Sequence, residues 1–230
     1  MQKPTELFTD AMDIADIERL TLNVMLTHGC HTAILYGSWV RGQATPQSDV
    51  DIVCVREGGP AFRDARIVDG LYLDAFIYPE ADLLTPEPEL LRVLGGRVIR
   101  EANGFGSALL AKLQELNDRG PTPMADDLRQ VSVLWADKML DRFRGQADPE
   151  AQYRRMQLLM QSLEDYFALR GTWFRGPKEA FAWLLEHDAA AHRHFESALQ
   201  PHASDAAFAA LVQTVYGPFA DRGDKQHCRA

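Results

Sequence analysis

Three aspartates stand where the sequence has no structural use for them. Asp49 and Asp51 fall at i and i+2 in SDVDIVCV, where Val50, Ile52, Val53 and Val55 read as a buried strand. Successive strand side chains point to opposite faces, so these two carboxylates share one face. Like charges side by side at a sheet edge repel each other and draw water toward a core, and a divalent cation removes that objection. Asp74 is the second anomaly, set in LYLDAFIY among residues of a strand interior. Adjacent strands lie about 4.8 Å apart, so Asp74 can stand beside Asp51 or Asp49 if its strand is a neighbour in register. Three carboxylates so placed suit a hard, oxygen-seeking ion such as Mg2+. Two such ions about 3.5–4 Å apart can share an i, i+2 pair.

The elements that must carry these residues follow from periodicity and punctuation. Ile14, Ile17, Leu20, Val24 and Met25 predict a helix over 13–29 with Gly29 as its stop. Strands are expected over 32–36 and 50–56. Gly58-Gly59-Pro60 and a connection rich in Arg and Asp then lead to a third strand over 67–78, with Asp69-Gly70 as a turn or bulge inside it. Beyond Pro79, Pro86 and Pro88, a short helix near 89–94 and a last short strand over 97–101 complete the first part. The remainder is helical, over 105–116, 125–144, 149–170, 177–186 and 205–216. The order reads as an α+β chain with an amino-terminal catalytic domain over 1–104 and an all-α helical bundle over 105–230. Gly120-Pro121-Thr122-Pro123 is the best linker candidate. Tyr153, Met156, Met160, Leu163 and Phe167 form an apolar helical stripe expected to pack in the bundle core.

With the motif in view, the chain resembles the nucleotidyltransferase superfamily, which includes DNA polymerase beta and the aminoglycoside nucleotidyltransferases. The shared pattern is an apolar strand ending in Gly37-Ser38, ten intervening residues, Asp49-Val50-Asp51, and a later single acid, Asp74. Arg41-Gly42-Gln43-Ala44-Thr45-Pro46-Gln47-Ser48-Asp49-Val50-Asp51 is similar to the small bacterial members. The resemblance covers about residues 31–78 and implies a small mixed β-sheet with packed helices. It implies transfer of a nucleoside monophosphate, AMP from ATP, to a hydroxyl of a small molecule such as an aminoglycoside. Two Mg2+ ions would be held by Asp49, Asp51 and Asp74, and the nucleotide by Gly37, Ser38, Arg41 and Ser48. The stretch from Tyr166 to Leu185 looks, more loosely, like the carboxy-terminal helices of small-molecule relatives. That likeness puts Lys178 near the nucleotide phosphates and makes Glu164 or Asp165 a base. Other outcomes open to such a domain are a non-catalytic nucleotide-binding regulator, an antitoxin and a protein adenylyltransferase.

Composition narrows the partners. A net charge of -9, from 24 Lys plus Arg against 33 Asp plus Glu, argues against non-specific nucleic-acid binding and suits a cationic acceptor. Cys30, Cys54 and Cys228 are odd in number and far apart, so neither a disulfide framework nor a thiolate zinc site is expected. The opening residues lack a signal-peptide pattern, and no apolar run reaches the roughly 18 residues of a membrane span. A cytoplasmic location and a possible homodimer are the matching expectations. His187, His192, His194 and His202 have no ligand spacing, and Arg222 with His227 makes only a chance pattern near a frayed tail.

Overall fold

The computed structural model describes residues 13–220. The opening residues read for a signal peptide, and Arg222, His227 and Cys228, lie outside them. The chain divides into two compact units between Arg119 and Gly120. That position is the Gly-Pro-Thr-Pro stretch, not the boundary expected after residue 104.

In the first unit, helix α1 (Ile14–Thr27) opens on a capping box: the Asp13 side chain accepts from the Asp16 amide, and the Asp16 side chain returns the bond to Asp13. Strands β1 (Thr32–Tyr36), β2 (Val50–Arg56), β3 (Phe62–Val68), β4 (Leu71–Pro79) and β5 (Arg97–Arg100) make one mixed sheet in the order β3-β4-β2-β1-β5. β1 is antiparallel to β2 and to β5, β4 is parallel to β2, and β3 is antiparallel to β4. The single strand expected over 67–78 is instead the inner part of a hairpin. Asp69 (φ 50°) and Gly70 (φ 84°) both take positive φ, as a two-residue primed turn requires. The Arg- and Asp-rich connection before it is therefore the edge strand β3.

The two faces of this sheet differ. Ala33, Leu35, Val50, Ile52, Cys54, Leu73, Ala75 and Ile77 pack with Ile17, Val24 and Met25 of α1. The opposite face carries Ile34, Val53 and Val55, and at one end Tyr36, Asp51 and Asp74. Helices α2 (Glu80–Leu83) and α3 (Phe105–Arg119) and a 3-10 helix (Pro88–Val93) complete the unit. α3 packs on β1, β5 and the 3-10 helix, which is why it belongs to this unit and not to the bundle. Cys30 and Cys54 are buried and unbridged.

The second unit is all-α: α4 (Asp126–Phe143), α5 (Pro149–Leu169), α6 (Pro177–His187), α7 (Ala189–Ala198) and α8 (Asp205–Val215). α7 was not expected from the sequence, where its alanines and histidines hide the apolar positions Ala191, Phe195 and Ala198. Leu158, Phe143, Phe195 and Tyr216 lie at the centre of the core. The stripe on α5 is only half buried. Leu163 and Phe167 are in the core, whereas Tyr153, Met156 and Met160 are exposed, Met160 by 71%. An apolar stripe fixes which residues share a face but not how far along the helix that face is covered. Among the described residues no helix is long and apolar enough to cross a membrane.

Candidate active site

The register lines up a row across the sheet. Tyr36 of β1 is paired with Asp51 of β2, and Asp51 with Asp74 of β4. Paired residues on adjacent strands point to the same face, so a phenol and two carboxylates stand side by side at the strand ends. Asp49 lies one residue before β2 and is exposed, while Asp51 is half-buried. Burial, then the negative charges of Asp49 and Asp74, push the Asp51 carboxyl up to about 6, against the opposing pull of Arg41 and Arg92. Burial also raises the Tyr36 phenol, with Asp51 and Asp74 adding to the effect.

Gly37 makes this row possible. Its φ is +79°, and a Cβ built there would lie 2.3 Å from Oδ2 of Asp51. The bare Cα is thus the wall against which the Asp51 carboxylate rests. Ser38 is buried, and its Oγ has no hydrogen-bond partner among the described residues. No helix begins at Ser38. The chain makes consecutive turns over 38–42, with the Arg41 amide donating to the Gly37 carbonyl (3.4 Å) and the Gln43 amide to that of Ser38 (3.0 Å). The Ser48 hydroxyl accepts from the Thr45 amide at 2.9 Å, so it shapes the loop that delivers Asp49.

Asp74 has a cation of its own. Arg63 of β3 donates from Nε to Oδ1 (2.5 Å) and from Nη2 to Oδ2 (2.8 Å), a fork that occupies both carboxylate oxygens. The guanidinium also lies 5.2 Å from the Phe76 ring centroid, and that of Arg92 lies 4.3 Å from the same ring. Arg92 donates to the Tyr78 hydroxyl (3.4 Å), while its Nε is buried without a hydrogen-bond partner among the described residues. Among the described residues no group of three His, Cys, Asp or Glu is gathered to hold a metal. Asp51 and Asp74 are thus register partners, Asp49 is near enough to help raise the Asp51 carboxyl, and Arg63 is the cation bound to Asp74. The donors still fit a hard divalent ion: they are all oxygens, and the raised proton affinity of Asp51 marks a place short of positive charge.

The family comparison falls on this same stretch. A family model described as a nucleotidyltransferase domain matches residues 31–102. Residues 31–102 are a nucleotidyltransferase domain. The protein is accordingly an enzyme of the transferase class that moves nucleotidyl groups. Among solved structures, the chain is similar to a nucleotidyltransferase-like protein from Exiguobacterium sibiricum 255-15, at 12% identity and a TM-score of 0.44, over 88% of this chain and 74% of that one. No curated protein matches the chain.

The nucleotidyltransferase domain also holds what the sequence reading missed. Arg63 could have been found: the Asp69-Gly70 loop fixes the hairpin register, which pairs residue 63 with Phe76 and so sets it diagonal to Asp74. Arg92 comes from a 3-10 helix, and no local pattern announces its reach. In the helical unit, Lys178 is exposed in the first turn of α6 and Glu164 is exposed on α5. Asp165 is buried and accepts from the Tyr216 hydroxyl (2.7 Å) and the Gln161 side-chain Nε2 (2.9 Å), both partners from its own unit. The histidines bind within the same unit: His187 stacks on Trp183 at 4.6 Å, and His194 Nδ1 pairs with Thr214 Oγ1 at 2.6 Å.

Proposed function

We infer that the domain transfers a nucleoside monophosphate, AMP from ATP, to a hydroxyl of a small polycationic molecule of the aminoglycoside kind. The observation that carries this reading is the direct pairing of Asp51 with Asp74, with Gly37 pressed against the Asp51 carboxylate. Ser38, with its buried hydroxyl unpartnered, is the residue to receive a phosphate oxygen, and Arg41 supplies positive charge beside Asp51. The acceptor oxygen attacks the α-phosphorus in line. A new P–O bond forms as the bond to the pyrophosphate oxygen breaks, and the hydroxyl proton passes to a carboxylate of the row. Mg2+, held by Asp49, Asp51 and Asp74, would supply positive charge to the triphosphate and the departing pyrophosphate. Positioning and electrostatics provide most of the acceleration in such transfers, so few residues are needed. The net charge of -9 favours a cationic acceptor.

The test incubates the purified protein with Mg2+, labelled ATP and a panel of acceptors that includes aminoglycosides and proteins. Pyrophosphate release that requires Asp49 and Asp51, with an acceptor heavier by one AMP, supports the reading. Release that persists in the Asp51→Asn variant sinks it, and an adenylylated polypeptide would move the acceptor class to proteins.

A further inference from the structure

We propose that Arg63 is a built-in competitor of the metal, a latch that holds Asp74 out of the ligand set until a divalent cation displaces it. The inference rests on the reading of Asp74 as a metal ligand. Both oxygens of Asp74 are engaged by one guanidinium, at 2.5 and 2.8 Å, so a cation that takes this carboxylate as a ligand must compete with a positive charge already bound to it. The two partners are unequally placed: the Asp74 side chain is 12% exposed and that of Arg63 is 52% exposed. Arg63 can therefore swing into water at small cost, whereas Asp74 stays in the row beside Asp51. Arg63 also comes from β3, the edge strand, which pairs on one side only. Its ring contact with Phe76 keeps the guanidinium on the site's face of the sheet.

The latch answers two physical demands at once. Without metal, Asp49, Asp51 and Asp74 would stand as three neighbouring negative charges, and an internal cation lowers that repulsion. With metal, the same cation must leave, so the affinity for the ion is set by a competition and not by the carboxylates alone. A residue that served only to hold β3 in place would have no influence on the ion.

Mn2+ binding to the full-length protein, followed by the electron paramagnetic resonance signal of the free ion without nucleotide, separates these roles. Arg63→Ala is expected to bind Mn2+ about tenfold more tightly than the wild type, because one charge-assisted fork no longer competes. Arg63→Gln, which keeps a donor and the side-chain bulk, should tighten binding by a smaller factor and serves where the alanine variant does not fold. Asp74→Asn should bind more weakly, and in that background Arg63→Ala should change the affinity by less than about twofold. Equal tightening in both backgrounds means that Arg63 acts only through general charge, and the latch is overturned. Unchanged or weaker binding in both Arg63 variants, with Asp74→Asn weakened, overturns the latch and leaves Asp74 a ligand. If Asp74→Asn binds Mn2+ as tightly as the wild type, the ligand reading itself fails and the latch falls with it.

Discussion

Asp74 and Asp165 are the two buried acids among the described residues, 8% and 6% exposed, and they are buried for opposite reasons. Asp165 accepts from the neutral donors Tyr216, in the bundle core, and Gln161, on its own helix, and has no neighbouring acid in that set. Asp74 is registered against a second carboxylate and is satisfied by a cation that is itself half in water. A buried acid whose partners are neutral and fixed stabilises one packing arrangement. One whose partners are like-charged and replaceable is set up to exchange them. Burial alone does not distinguish the two; the neighbours do.

The sharpest test of that contrast is Asp51→Asn. Nucleotidyl transfer should fall roughly a thousandfold, read as pyrophosphate release, since the charge facing the triphosphate complex is gone. Stability should move the other way. Because the Asp51 carboxyl is raised to about 6, its native state binds more protons than its unfolded state between the ordinary carboxylate pKa of about 4 and 6. The cost is absent at low pH, builds as pH rises through that window, and is complete above about 6. Allowing for solvent screening, it amounts to about 1–2 kcal/mol. In metal-free buffer the wild type should lose that much stability from pH 4 to 7 in denaturant titrations relative to Asp51→Asn, and Mg2+ should restore part of it. Identical pH profiles for the two proteins would remove the electrostatic half of the comparison.

Gly37→Ala comes next. The new Cβ would sit 2.3 Å from Oδ2 of Asp51 at a φ of +79°, so either the carboxylate or the turn must move. A displaced carboxylate at this position should cost about a hundredfold in kcat/KM, and the strained backbone about 1–3 kcal/mol in stability. Methyl substitution at Gly42, also at positive φ but with nothing within 4 Å, should strain the backbone without touching Asp51. Comparable kinetic losses at both glycines would mean that backbone strain alone, and not the encounter with Asp51, is responsible.

Much of this was legible in the sequence, and the omissions share a cause. The Gly37-Ser38 step, the Asp49-Val50-Asp51 spacing and the isolated Asp74 are local patterns, and each marks a strand end or a face. β3 is hidden in the sequence because FRDARIV carries polar residues on both faces, as an edge strand does, so alternation gives no sign of it. The Arg63 fork followed it into obscurity, although the Asp69-Gly70 turn held the register that reveals it. Arg92 depends on how a 3-10 helix meets the sheet, which no window of sequence contains. In the bundle, the α5 stripe gave the right face but not its cover, since the exposure of Tyr153 and Met160 is decided by where other helices end.

Tyr216→Phe probes the other side of the comparison. It takes one of two hydrogen bonds from the buried Asp165 carboxylate, and leaving such a group short of a donor should cost about 1–3 kcal/mol. Turnover per folded molecule should stay at the wild-type value, measured well below the midpoint of thermal unfolding. A turnover that collapses while stability holds would turn Asp165 from a packing residue into a chemical one, and the two buried acids would no longer be opposites.

Ser38→Ala is the smallest effect and the most discriminating. Its Oγ is buried with no hydrogen-bond partner among the described residues, so the hydroxyl bears a desolvation cost that no bond in the folded protein offsets there. Removing it should leave stability unchanged or raise it by up to about 1 kcal/mol. If the hydroxyl meets a phosphate oxygen, the same change should raise KM for ATP roughly tenfold with little change in kcat, since a ground-state contact is lost. A variant that gains stability and keeps its KM would show Ser38 to be a packing residue of the turn. One that loses both would show that the hydroxyl closes the turn after β1, and phosphate contact would then rest on Arg41.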